Sequence, residues 1–220
     1  MTTIRFDTVI FDLDGTLVDT GPDLTAALNH ALSHFGRQTV NEAAVRDMVG
    51  HGARKLLERG FAATGECSEA LVKEGMPVFL DYYAANICVH SAPYAGVEQA
   101  MDRLTEAGVK LAVCTNKPEA MAARLFATLG WSDRFAALVG GDTLPVRKPD
   151  PRPLRETLAR AGGSVPAFIG DSITDTDTAR AAGVPCVAVS FGFADRPPAE
   201  LGADILIHHF DELVPALERL

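Results

Sequence analysis

Asp12 and Asp14 stand two residues apart in the run Phe11-Asp12-Leu13-Asp14-Gly15-Thr16. In extended backbone, residues two apart share a face, so both carboxylates point into one space while Leu13 packs away. Gly15 then allows a sharp turn and a close backbone approach. Two neighbouring carboxylates repel, and one stays protonated unless a cation intervenes. That division suits a nucleophile working beside a general acid. An Asx turn ending a strand accounts for the same pair, so the rest of the chain has to decide.

Three further stretches carry groups of matching chemistry. Thr115-Asn116-Lys117-Pro118 offers a hydroxyl, an amide and backbone N–H groups at a helix start, which is an anion site as well as a plain cap. Lys148, in Arg147-Lys148-Pro149-Asp150-Pro151, is an ammonium presented by extended, proline-bounded chain and suited to neutralising a phosphate; Arg147 is a less favoured candidate for that role. Gly170-Asp171-Ser172-Ile173-Thr174-Asp175 places two carboxylates across one turn. With Asp12 they make an all-oxygen cluster, which favours Mg²⁺ over zinc or copper. Asp175 also suits the first turn of a helix, where it complements the dipole.

The elements that must position these groups are legible as short apolar runs: Thr8-Val9-Ile10-Phe11, Val109-Lys110-Leu111-Ala112-Val113-Cys114, Ala137-Leu138-Val139, Ala167-Phe168-Ile169 and Cys186-Val187-Ala188-Val189. Ile205-Leu206-Ile207 adds an edge strand. Runs this apolar suit strands buried on both faces of a parallel sheet. Helical patterns separate them, closed by Gly108, Gly130, Gly162-Gly163 and Gly183 as C-caps. This alternation predicts an α/β fold, a Rossmann-like doubly wound parallel sheet, whose ligands gather outside the carboxyl ends of the strands. All four motifs follow such ends. Between the first strand and Val97 the alternation fails. About four helical stretches occur there, the last interrupted at Gly75-Met76-Pro77. They predict a helical domain at residues 21–92 inserted into an α/β core of residues 1–20 and 93–220.

A net charge of −9 argues against a nucleic-acid partner. No apolar run approaches the roughly 20 residues of a membrane span, and the N-terminus lacks a signal-peptide layout. A cytoplasmic location is expected, with the scattered Cys67, Cys88, Cys114 and Cys186 read as reduced, small buried residues. His208 and His209 read as a solvated edge and Trp131 as packing; Phe191-Gly192-Phe193, after the fifth strand, reads as a loop in preference to a border of the site.

The ordered set Asp12-Leu13-Asp14-Gly15-Thr16, Thr115-Asn116-Lys117, Lys148-Pro149 and Gly170-Asp171-Ser172 with Asp175 resembles the haloacid dehalogenase (HAD) superfamily over essentially the whole chain. The helical insertion looks like the cap of the subclass containing phosphoglycolate phosphatase and β-phosphoglucomutase. Gly141-Asp142-Thr143 with Lys148-Pro149-Asp150-Pro151, and Ala179-Arg180-Ala181-Ala182-Gly183-Val184-Pro185, look most like the phosphoglycolate phosphatase branch. The resemblance implies a phosphomonoesterase in which Asp12 is the nucleophile and Asp14 the general acid and base. It implies Mg²⁺ on the Asp12 carboxylate, the Asp14 backbone carbonyl and Asp171, with Asp175 as ligand or supporting partner. Thr115, Asn116 and Lys148 would bind the phosphoryl oxygens. In the cap, the segment from Gly50 to Arg54, including His51, would read a substrate carboxylate; a helix–helix turn with solvated His51 and Arg54 is the plainer account. The implied partner is a small phosphorylated metabolite, and the enzyme a monomer or homodimer. A phosphomutase of the β-phosphoglucomutase type, a sugar-phosphate phosphatase and a silent phosphate-binding module share the same core motifs.

Overall fold

In the computed structural model, which describes residues 4–193 and 196–220, the chain opens with strand β1 (Thr8–Phe11) and a two-residue β2 (Val18–Asp19). Four helices follow: α1 (Gly21–His34), α2 (Glu42–Arg46), α3 (Ala53–Thr64) and α4 (Glu69–Ala85). After β3 (Ala92–Pro93) the alternation runs α5 (Val97–Glu106), β4 (Lys110–Cys114), α6 (Glu119–Leu129), β5 (Ala137–Val139), α7 (Arg152–Ala161), β6 (Pro166–Gly170), α8 (Ile173–Ala182) and β7 (Cys186–Val189). It ends with β8 (Ile205–Ile207) and α9 (Leu213–Arg219).

Six strands form one sheet in the order β5-β4-β1-β6-β7-β8, and every pairing in it is parallel. The chain runs outward from β1 through β4 to β5, then returns to the other side of β1 at β6. The order reverses at β1, so the carboxyl end of that strand sits at the switch point where open α/β sheets bind ligands. Period-two alternation explains why these strands read as unbroken apolar runs. Ile10, Ala112 and Phe168 join one core with Leu154 of α7 and Ala179 of α8. Val9, Phe11, Val113 and Ile169 face the other, with Met101 and Leu104 of α5 and Leu217 of α9. Trp131 is buried in that second core, as its position after a helix end suggested, and its Nε1 donates to Glu98 at 3.0 Å.

Four helices lie between β2 and β3, where helical stretches were expected, but two features of this stretch escaped the sequence. First, β2 and β3 pair antiparallel, Val18 opposite Pro93 and Asp19 opposite Ala92, and so form a ribbon at the base of the insertion. Strands this short carry no readable period. Second, α4 is not interrupted at Gly75-Met76-Pro77 and runs through Pro77. Gly75 lies close against Phe61 and Leu57 of α3, and Val72, Phe79 and Tyr83 are buried along the same helix. Burying such side chains is worth about 1.5–3 kcal/mol each, enough to offset the ~3 kcal/mol of an internal proline. Asp23 secures the base from within: its carboxylate accepts from the backbone N–H groups of Val89, His90 and Ser91 and from the Ser91 hydroxyl.

Of the four cysteines, Cys114 and Cys186 are buried as expected. Cys88 is half-buried and Cys67 is exposed, because it lies in the loop between α3 and α4 rather than in a core; all four are free thiols. His208 is exposed and pairs with the Ser190 hydroxyl, while His209 accepts from the Asp211 backbone N–H. No helix among the described residues is long and apolar enough to cross a membrane.

Candidate active site

Asp12 leaves the carboxyl end of β1 in the next hydrogen-bonding position, its N–H donating to the Ile169 carbonyl of β6 at 2.9 Å. The neighbouring strands fix its backbone, and its side chain is buried. Asp14 lines the same cavity as Asp12, as the two-residue spacing predicted. Between Asp14 and Val18 the chain turns back on itself, the Gly15 N–H donating to the Val18 carbonyl at 2.9 Å. Gly15 has a φ of +84°, and a Cβ there would lie 2.3 Å from Asp171 Oδ2. The turn therefore demands glycine twice, for its backbone and for its space.

Asp12, Asp171 and Asp175 meet at three strand and helix ends, with one carboxylate oxygen from each within 4.8 Å of the others, and all three are buried. Their remaining contacts differ. Asp171 accepts from the Thr16 hydroxyl through Oδ1 (2.8 Å) and from the Phe193 N–H through Oδ2 (2.6 Å). Asp175 is fully engaged. Its Oδ2 accepts from the N–H groups of Asp171 and Ser172 and from the Ser172 hydroxyl, closing a capping box at the start of α8. Its Oδ1 accepts from Lys148 Nζ at 2.6 Å. Both sequence readings of Asp175 thus describe one side chain, at the acidic cluster and in the first turn of the helix.

Lys148 is buried between Asp175 and Asp12. Its Nζ lies 3.0 Å from Asp12 Oδ1, near enough for an ion pair, yet that oxygen has no aligned hydrogen-bond donor among the described residues. Burial pushes the Asp12 carboxyl up to about 6; the Lys148 charge opposes this, and Asp175 and Asp14 reinforce it. Burial, with the charges of Asp175 and Asp12, also holds the Asp171 carboxyl well above its ordinary range. Three buried carboxyl groups face one ammonium, so their full ionisation would leave two negative charges without a counter-charge. An incompletely bonded Asp12 oxygen and an all-carboxylate donor set fit a hard divalent cation.

The phosphate-binding candidates converge here too. Thr115 and Asn116 follow β4 and line the cavity with Asp12. Asn116 Nδ2 donates to the carbonyls of Gly50 and Lys148, both at 3.2 Å, while its buried Oδ1 has no partner among the described residues. The loop from Val49 to Ala53 forms one wall of the cavity. His51 approaches the Thr174 hydroxyl at 3.4 Å. Arg54, expected near a substrate carboxylate, is instead half-exposed and pairs with Glu58 and Glu69. It lines a neighbouring cleft with His51, Arg147 and Lys148. At the first turn of α3 its side chain leaves the helix on a face unlike that of Ala53 and Leu56, which meet the cavity.

Sequence reasoning missed several neighbours. Lys117 is buried, and its Nζ pairs with Asp14 Oδ1 at 2.8 Å and donates to the Tyr83 hydroxyl of α4 at 2.6 Å. The Thr20 hydroxyl donates to the same Asp14 oxygen at 2.7 Å. Phe191-Gly192-Phe193, where the sequence favours a plain loop over a border of the site, does border it: a Cβ at Gly192 would collide with Asp171 and with the Gly15 carbonyl. The sequence places Lys117 within a motif but not its partners.

Residues 9–189 match the haloacid dehalogenase-like hydrolase family. Among similar proteins is a phosphoglycolate phosphatase of Mesorhizobium japonicum, 47% identical over 216 residues that cover 96% of this chain and 95% of the relative. Another, of Caulobacter vibrioides, is 47% identical over 92% of this chain and 87% of its own. The crystal structure of a predicted phosphoglycolate phosphatase from Haemophilus somnus superposes with a TM-score of 0.90 at 30% identity, covering 96% of this chain and 97% of that one. With its motifs gathered at the switch point of a parallel sheet, the chain belongs to the haloacid dehalogenase-like hydrolases.

Proposed function

We propose that this enzyme is a Mg²⁺-dependent phosphomonoesterase acting on 2-phosphoglycolate, with release of glycolate and phosphate. The observation that carries this reading is the pairing of Asp12 with Asp14 on one cavity, the first against Lys148 and the buried acidic cluster, the second against Lys117 and Thr20. An Asp12 oxygen attacks phosphorus as the ester P–O bond breaks, and Asp14 gives its proton to the departing oxygen. Asp14 then takes a proton from the water that attacks phosphorus, the bond to Asp12 breaks, and phosphate leaves. Thr115, Asn116 and Lys148 hold the phosphoryl oxygens. Asp12, the Asp14 backbone carbonyl and Asp171 would hold Mg²⁺, and Asp175, with both oxygens engaged, orients Lys148 and the Asp171 backbone. When bound, the cation offsets negative charge where the carboxylate meets the phosphate.

The inserted helices act as a cap, residues 21–92 on a core of residues 1–20 and 93–220, and they set the choice of leaving group. Ala53 and Leu56 of α3 and Phe79 and Leu80 of α4 close the cavity over Asp12, which excludes water from the reaction. The identity of the relatives supports 2-phosphoglycolate as the substrate. The test is phosphate release over a set of small phosphomonoesters with Mg²⁺ present. 2-Phosphoglycolate should give the highest kcat/KM; a clear preference for glucose phosphates or pyrophosphate would overturn the assignment.

A further inference from the structure

Arg54, the cap cation expected beside the leaving-group carboxylate, turns away to Glu58 and Glu69. Apart from Asp12, Asp14, Thr115, Asn116, Lys117 and Tyr83, the side chains that line the active-site cavity are apolar, among them Leu24, Leu56, Phe79, Leu80 and Met121. Among the described residues that line it, Lys117 is the one cation. A buried ammonium in apolar surroundings needs strong partners. Lys117 uses two of its three N–H groups, on Asp14 Oδ1 and on the Tyr83 hydroxyl oxygen. The Tyr83 hydroxyl accepts that bond at 2.6 Å, and its own hydrogen has no acceptor among the described residues. Two unused donors therefore belong to adjacent residues that both line the cavity, one from the core and one from α4.

We propose that Lys117 and Tyr83 together form the seat for the substrate carboxylate, with the ammonium taking one oxygen and the tyrosine hydroxyl the other. This rests on the assignment of a carboxylated phosphomonoester as substrate. The seat lies beside Asp14, so a leaving group held there presents its ester oxygen to the group that protonates it. An uncharged alcohol leaves both donors without an acceptor. Because one donor belongs to α4, the carboxylate also draws the inserted helices onto the core, and recognition and closure become one event.

The test compares 2-phosphoglycolate with ethyl phosphate, which has the same two carbons and no carboxylate, in wild type, Tyr83→Phe and Lys117→Met. The wild-type enzyme should prefer 2-phosphoglycolate. In Tyr83→Phe the ratio of the two kcat/KM values should fall roughly tenfold, as expected for one hydrogen bond to a charged group, with most of the change in the KM for 2-phosphoglycolate. In Lys117→Met the ratio should fall further. Lys117 also touches Asp14, so its removal slows both substrates; the ratio, not the rate, is diagnostic, and the near-isosteric Tyr83→Phe preserves the test if Lys117→Met fails to fold. If Tyr83→Phe slows both substrates by the same factor, the carboxylate seat is refuted while the phosphatase reading stands. If wild type hydrolyses ethyl phosphate as readily as 2-phosphoglycolate, the substrate assignment itself fails.

Discussion

Asp12 is held to a narrow task by its surroundings. The β6 carbonyl of Ile169 fixes its backbone and Lys148 sits against its carboxylate, so replacing the oxygen nucleophile with an amide disturbs little else. Asp12→Asn should lower kcat at least about a thousandfold, on the scale seen when an enzyme loses its nucleophile, while inorganic phosphate still binds by calorimetry. Substantial residual hydrolysis would refute the nucleophile assignment. Asp175 has the opposite profile: both of its carboxylate oxygens are taken by donors of the protein. Asp175→Asn removes one of the two carboxylate partners of a buried ammonium, so stability to urea should fall, by up to about 3 kcal/mol. If stability is unchanged, Lys148 does not depend on Asp175.

At the scale of elements, the sheet supplies direction and the turns after its strands supply proximity. The Gly15 turn brings β1 against Asp171, and its φ of +84° and missing Cβ are both required. Gly15→Ala should cost about 1–2 kcal/mol of backbone strain and weaken Mg²⁺ activation by displacing Asp171; a variant with wild-type melting and metal dependence would contradict this. At the other end of β1, Asp7 joins two elements. Its carboxylate accepts from the N–H groups of Ser164 and Val165 and from the Ser164 hydroxyl, and these bonds, the Ser164 hydroxyl foremost, hold it well below the usual carboxylate range. A carboxyl lowered by folding adds stability above its unfolded value and loses it as pH falls toward the folded one. Asp7 should therefore stabilise the fold above about pH 4. Because the group is largely exposed, the effect should be about 1 kcal/mol or less. Asp7→Asn should match wild type in acid and be less stable near neutrality, read from urea midpoints across pH. Equal differences at all pH values would show that the charge is not what matters.

For the whole molecule, the charge imbalance of the acidic cluster links metal binding to folding. A cation that binds only the folded chain stabilises it by about 2.7 kcal/mol at a hundred times its Kd, which raises Tm by roughly 5–10 °C for a protein of this size. Mg²⁺ should raise Tm on that scale, EDTA should reverse the shift and abolish phosphate release, and Asp171→Asn should flatten the response. An unchanged Tm in wild type would show that the cluster holds no cation.

The sequence by itself determined the sheet, its strand-end motifs and the helical insertion, because apolar periodicity and the residues that follow each run are local properties of the chain. Asp12, Asp14, Thr115, Asn116, Lys148, Asp171 and Asp175 all end at one edge of the sheet because parallel strands deliver their carboxyl ends to the same side. Only the tertiary structure decided what each group faces. Arg54 and Lys117 are both cations beside an anion motif, yet helix phase turns Arg54 toward Glu58 and Glu69 and burial turns Lys117 toward Asp14. Tyr83 reaches Lys117 from 34 positions away, and Pro77 leaves α4 unbroken because the face around it is buried on α3. Partners brought together by packing have no spacing to read, so the residues nearest the leaving group are the ones a linear chain conceals.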